Sequence, residues 1–317
     1  MSTKRTNFWL SRLDYLFLLR PMLFFPGWST MLAGYYIDYK SEWVPIIGAR
    51  SLPLPDFLLL AGFALIMGSS FVLNQLRDIE SDKKNRKLFI ISDGILSVSA
   101  AKFEVIGLTL VAFLITFWIK IEVGIFIVIF FIVTGILYNY PPAKLKDRPW
   151  SSLLANALMG WLAFGVGWIS INSISHHLIL DSLPYICFNT ALYLFTTLPD
   201  REGDQQSGKK TIAVIWGLRK VIFTAFYIYI AGFFLCLYLM DLQALVFYIL
   251  TLPWFIKTII RGSISDTNQA TKYGILFFAL SVCLRWPVYL FIMIIGFYGT
   301  KFYYRKRFNF NYPNFSG

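Results

Sequence analysis

The sequence predicts an all-α membrane protein of about nine transmembrane helices, with polar loops that cap one face. Three observations carry that expectation. The chain is 57% hydrophobic, 19% aromatic and only 15% charged, with a mean hydropathy of +0.61. A soluble domain of this size carries about a quarter charged residues. Apolar stretches of about 17–25 residues, the length that crosses the hydrocarbon core, recur from end to end. Basic residues fall in alternate loops, as the positive-inside rule requires. The expected organisation is one polytopic domain over 1–317, with related halves at 16–140 and 152–261 and a final helix at 274–298.

The first span, 16–37, follows Lys4, Arg5 and Arg12 and is interrupted by Arg20-Pro21. Arg20 either reaches a phosphate or snorkels to the interface. The second span, 55–77, closes on Asn74-Gln-Leu-Arg-Asp78-Ile-Glu-Ser-Asp82. On a helix Asn74, Asp78 and Asp82 fall at i, i+4 and i+8 and share one stripe, with Glu80 pointing elsewhere. Spans 97–118 and 121–140 follow. The fourth closes on Tyr138-Asn139-Tyr140-Pro141-Pro142-Ala143-Lys144-Leu145-Lys146, where two prolines stop the helix. The fifth and sixth spans, 152–171 and 179–198, lead to Asp200-Arg-Glu-Gly-Asp204-Gln-Gln-Ser-Gly208 and then Lys209-Lys210-Thr211. Asp200 and Asp204 share a second stripe. Spans 220–241, 243–261 and 274–298 complete the set. The two longest inner polar segments, 78–96 and 200–219, are each expected to form a short helix capping the site.

Loop charge supports this order. Arg77 to Lys87, Lys144 to Arg148, Arg201 to Lys220 and Arg261 to Lys272 are basic, whereas the intervening loops carry little positive charge. The tail breaks the pattern, because nine crossings leave Lys301, Arg305, Lys306 and Arg307 outside. The net charge of +12 is spread over inner loops, which points to topology and anionic lipid rather than nucleic acid. Cys187, Cys236 and Cys283 sit in apolar runs without metal spacing and read as small core residues. His176 and His177 are adjacent and cannot share a helix face as ligands. No cleaved signal peptide is expected.

Carboxylates are scarce, 17 Asp and Glu in 317 residues, yet two spaced clusters lie at span ends. Facing carboxylate pairs suit hard divalent cations, and such cations suit a diphosphate. The bland reading of the first cluster is a solvated helix end, but Asn74 lies inside the apolar run and needs a partner or a wet cavity. Beside the second cluster, Gly208, Lys209 and Lys210 supply cationic donors for remaining phosphate charge. Lys144 or Lys146 either meets phosphate, with Tyr138 or Asn139 donating a hydrogen bond, or simply follows a proline-stopped helix end. Arg77 either holds a phosphate or neutralises the Asp stripe. Arg285, deep in the last span, needs a polar partner and is a candidate for an anionic group of an acceptor.

These motifs, in this order from Arg20-Pro21 to about Gly217, resemble the UbiA superfamily of intramembrane prenyltransferases. The resemblance implies a UbiA-type bundle of nine helices with a cytoplasm-facing polar cavity, across which two Asp motifs bind Mg²⁺ and an isoprenyl diphosphate. Asn74, Asp78 and Asp82 match the first metal motif; Asp200 and Asp204 match the second. Tyr138 and Lys144 match the aromatic-proline-lysine segment. Gln75 departs from the family, where many members have Asp, as does Lys87-Leu-Phe before Gly94.

The expected activity is Mg²⁺-dependent transfer of a prenyl group to an aromatic or lipid-like acceptor within the bilayer. Asp78 and Asp200 are the strictest positions. Arg20, Arg77, Tyr138, Lys144, Lys146 and Lys210 are the diphosphate candidates. The partners are an isoprenyl diphosphate, a hydrophobic acceptor and the lipid bilayer, without nucleic acid; the expected location is a prokaryotic plasma membrane. A membrane terpene cyclase with the same metal site and a secondary transporter built from half-repeats stay open as alternatives.

Overall fold

A computed structural model describes residues 8–42, 54–85, 89–206 and 208–313. Lys4, Arg5 and Lys87 lie outside the described residues. Every regular element among them is helical: α1 (Phe8–Leu18), α2 (Phe24–Tyr35), α3 (Leu54–Asn85), α4 (Phe89–Ser92), α5 (Val98–Ile119) and α6 (Ile121–Phe131), which runs into a π-turn at Ile132–Leu137. Then come α7 (Pro149–Ile171), α8 (His176–Thr196), α9 (Arg201–Gln206), α10 (Ile212–Tyr238), α11 (Leu242–Arg261), α12 (Ile264–Cys283) and α13 (Val288–Phe308). Seven helical segments among the described residues are long and apolar enough to cross a membrane; Ile121–Leu137 is a shorter apolar helix. Short helices do form in the two acidic loops, α4 in the first and α9 in the second.

Three expectations are corrected. The first span is two helices, because Pro21 has no N–H to continue the ladder and Arg20 adopts a left-handed conformation, φ 57°. The seventh span starts earlier, at Ile212, but Gly217 at φ 74° breaks its helical backbone, so the straight run begins at Leu218. The expected final helix at 274–298 is divided. Arg285-Trp286-Pro287 forms a turn between α12 and α13, and Pro287 again denies the ladder a donor. The last expected span is therefore not one continuous helix, because hydropathy alone passes over a turn made of Trp and Pro.

The chain folds as two compact units: Met1–Phe25 with Leu52–Tyr140 and Leu290–Asn314, and Pro26–Ser51 with Pro141–Tyr289 and Phe315–Gly317. In the first unit, α13 runs antiparallel to α1. Asp14 is buried there, accepting from Tyr303 Oη at 2.6 Å and from Arg307 Nη2 at 2.8 Å. Tyr303 stacks on Phe17 at 3.8 Å between ring centres. A removed partner at any of these positions would strand a buried charge. The pairing sets the basic end of α13, Arg305 to Arg307, against α1.

In the second unit the interior is aromatic. Phe188 packs against Phe247 at 4.5 Å, and Tyr229 stacks on Phe255 at 3.9 Å. Polar contacts gather at one end: Arg285 donates to the Tyr39 carbonyl at 2.6 Å, and Lys40 meets Asp181 at 2.5 Å. Asp241 caps α11 by accepting from the Ala244 N–H at 2.9 Å, and burial pushes its carboxyl up to about 6. Arg285 is therefore a turn residue tied to backbone, between α12 and α13, and does not lie deep within one continuous span.

Candidate functional site

The first acidic motif lies in the first unit, on one unbroken helix. α3 continues well past the apolar run, so Asn74, Asp78 and Asp82 hold the i, i+4, i+8 stripe that their spacing predicts. Asp82 is buried, Asn74 and Asp78 are half-buried, and Arg77 and Glu80 face outward. The start of the stripe is held by the Asn139-Tyr140 segment. Asn74 Nδ2 donates to Asn139 Oδ1 at 2.6 Å, and Tyr140 Oη donates to the Leu73 carbonyl at 3.4 Å. Burial raises the Tyr140 phenol above its ordinary value, opposed by the nearby Arg77 and reinforced by Asp78. The phenol stays protonated and remains a donor.

Gln75, the departure from the family pattern, has a structural task. Its Nε2 donates to the Leu18 carbonyl at 2.8 Å. Leu18 ends α1 at the Arg20-Pro21 break, and no backbone N–H donates to its carbonyl among the described residues. Gln75→Leu removes the only side-chain donor shown on that carbonyl, and Gln75 is 2% exposed. The variant should lose about 1–3 kcal/mol of stability. An unchanged thermal unfolding midpoint in detergent would contradict this role.

Arg20 sits in the same unit, its side chain within electrostatic range of Asp82, Tyr304 and Tyr312. Tyr304 and Tyr312 contact each other at 5.2 Å between ring centres. Sequence reading overlooked this contribution of the carboxy-terminal segment, because nothing in a basic, aromatic tail signals return to the first span.

The second motif lies in the second unit. α8 stops at Thr196 and Pro199 precedes Asp200, so Asp200 is a turn residue and only Asp204 is helical. The expected common stripe is thus a helix-cap arrangement: the Asp204 N–H donates to the Asp200 carbonyl at 2.8 Å. Asp204 pairs with Lys209 at 3.5 Å, and the neighbouring Lys210 is exposed. Two buried polar atoms nearby in sequence, Arg201 Nε and Thr211 Oγ1, have no hydrogen-bond partner among the described residues. Arg201 was passed over in sequence reading; its place between two motif aspartates was the available signal.

The proline-lysine segment is divided. Tyr138 ends the π-turn in the first unit, half-buried; Lys144 and Lys146 belong to the second unit. Lys144, at φ 39°, is ion-paired with Asp147 three residues on. That pair occupies the ammonium locally, which weakens the phosphate reading for Lys144 while leaving it for Lys146. Asn139 is 1% exposed, and both its N–H bonds go to backbone carbonyls. It is therefore not a phosphate donor.

Among the described residues, no three His, Cys, Asp or Glu side chains form a group that holds a metal alone. Each unit instead offers one carboxylate pair. Mg²⁺ commonly takes one or two carboxylates, keeps waters and fills the rest with substrate phosphate oxygens. Asp78 and Asp82 with Asn74, and Asp200 with Asp204, fit that donor chemistry. The partnerless Arg201 Nε fits a phosphate oxygen.

A profile of the UbiA prenyltransferase family matches residues 43–263. A 2-acyl-4-prenylphloroglucinol 6-prenyltransferase of Humulus lupulus is 29% identical over 182 residues, 52% of this chain and 42% of that protein. A digeranylgeranylglyceryl phosphate synthase of Sulfurisphaera tokodaii is 25% identical over 258 residues, 77% of this chain and 86% of that one. The first curated relatives are matched over 42%, 64% and 51% of their own lengths. A solved UbiA homologue from Archaeoglobus fulgidus, bound to GPP and Mg²⁺, superposes with a TM-score of 0.68 at 21% identity, covering 87% of this chain and 99% of that one. That likeness shows the fold.

Proposed function

The chain belongs to the UbiA prenyltransferase family, and from that premise we propose that it transfers a prenyl group from an isoprenyl diphosphate to an aromatic or lipid-like acceptor in the membrane. The observation that carries this reading is the Asn74–Asp78–Asp82 stripe on one unbroken helix, at the end of an apolar span. The archaeal homologue bound to GPP and Mg²⁺ supports the choice of donor and ion.

Asn74, Asp78 and Asp82 would hold Mg²⁺, Asp200 and Asp204 are a second candidate set for such an ion, and a bound ion would supply charge neutralisation for a departing diphosphate. The chain's own cations do the rest of that work. Arg20, Arg77, Lys146 and Lys210 supply positive charge, with Arg201 added by its partnerless Nε. Tyr138 stands at the end of the π-turn as a further hydrogen-bond donor. As the C1–O bond of the donor breaks, its electron pair leaves with the diphosphate. The allylic carbon is then captured by an electron-rich carbon or oxygen of the acceptor, which gives up a proton. Exclusion of water by the surrounding apolar helices keeps hydrolysis from competing.

Membranes containing the protein, supplied with labelled C10 to C20 donors and a lipid extract, should yield prenylated products detectable by mass spectrometry. EDTA should suppress product formation by at least about 100-fold, and excess Mg²⁺ should restore it. Turnover that persists in EDTA, or a product formed from donor alone, would reject the proposed reaction.

A further inference from the structure

We infer that Asn139 is a positioning residue for the cation site: through the π-turn it turns the Asn74 amide so that its oxygen, not its nitrogen, is left for a ligand. This rests on the reading that Asn74 helps to hold Mg²⁺, and it concerns how that side chain is made to present the right atom.

The argument begins in the backbone. The Tyr138 N–H donates to the Val133 carbonyl, one residue beyond the ordinary helical partner, and the Asn139 N–H donates to Ile136. Thr134 and Gly135 thereby lose the donors that a regular helix would send to their carbonyls. Asn139 Nδ2 replaces them, at 2.9 Å to Thr134 and 3.1 Å to Gly135. The turn is pinned to α3 by Thr134 Oγ1, which lies 2.8 Å from Ser70 Oγ.

A carbonyl oxygen only accepts, so the NH₂ group of Asn139 has to face those two atoms. This settles an orientation that amide groups otherwise leave to choice. Asn139 Oδ1 then faces Asn74 at 2.6 Å, and only the Asn74 NH₂ can satisfy it. No other side-chain hydrogen bond of Asn74 is present among the described residues, which leaves Oδ1 uncommitted on the stripe that carries Asp78. Mg²⁺ takes oxygen ligands. The opposite orientation would turn an NH₂ toward the cation. Asn139, at 1% exposure, touches no substrate and acts through Asn74 alone.

The test is a double-mutant cycle on Mn²⁺ affinity, read by electron paramagnetic resonance on the detergent-solubilised full chain with inorganic pyrophosphate present. Asn139→Leu should weaken Mn²⁺ binding about 10–100-fold, the usual effect of losing an orienting partner. A carboxylate at position 74 presents oxygen whichever way it turns. In an Asn74→Asp background the same Asn139→Leu change should therefore cost less than about 3-fold. Asn139→Ala serves the same cycle if the leucine variant does not fold. Equal losses in both backgrounds, or no loss in the first, would overturn the inference. Asp78→Asn is the separate control. If it leaves Mn²⁺ binding intact, the cation site itself is misassigned, and the orienting role falls for that different reason.

Discussion

Asp78→Ala is expected to lower kcat/KM for prenyl transfer by at least about 10²–10³-fold while leaving the protein folded, since loss of one group aimed at developing charge costs about that much. The two halves of that expectation come from different physics. Asp78 is half-buried within α3 and offers its carboxylate beside Asn74, so alanine removes charge from the candidate cation site. Alanine also favours the helix interior over aspartate by about 0.5 kcal/mol, so the helix itself gains slightly. The unfolding midpoint should stay level or rise as turnover vanishes. Activity within about tenfold of the parent, in a variant shown to be inserted, would remove Asp78 from the mechanism.

Much of this site was legible because its signals are local. A spacing of four residues needs only an unbroken helix to become a common face, and α3 provides one. The short helices α4 and α9 likewise follow from polar segments too long to be simple turns. The misses share a different cause. Asp200 falls in a turn because Pro199 cannot continue α8, and the Lys209 that pairs with Asp204 follows the Gly208 turn at φ 74°. The π-turn at Ile132–Leu137 holds no proline, only Gly135, and its spare carbonyls are satisfied by Asn139, which lies beyond it. The split of the last span did have a local signal, Pro287, which an apolar run masks. Hydropathy adds up apolar residues on both sides of Arg285-Trp286-Pro287 and does not register which carbonyl the arginine will find.

Gly167→Ala should be among the most destabilising small substitutions in the chain. A Cβ at Gly167 would stand 1.8 Å from the Met31 carbonyl oxygen and 2.8 Å from the Tyr35 nitrogen, and both are backbone atoms. Gly34 on α2 repeats the contact from the other side, with a Cβ 2.1 Å from the Phe164 carbonyl oxygen on α7. Neither helix can turn a side chain away, so relief requires moving one backbone from the other. Within lipid this matters more than in water. Helices there associate through close packing and not through the hydrophobic effect, so small residues at the contact supply the attraction. Overpacking costs typically about 1–3 kcal/mol when side chains can adjust, and here the cost should lie at or above the top of that range. The control is built into α5. Gly107 has nothing within 4 Å of a Cβ, so the same exchange there should stabilise the helix by about 0.8–1 kcal/mol. Thermal unfolding of both variants in one detergent should move the midpoint down for Gly167→Ala and up, or not at all, for Gly107→Ala. A Gly167→Ala protein as stable as its parent would mean that α2 and α7 do not meet backbone to backbone.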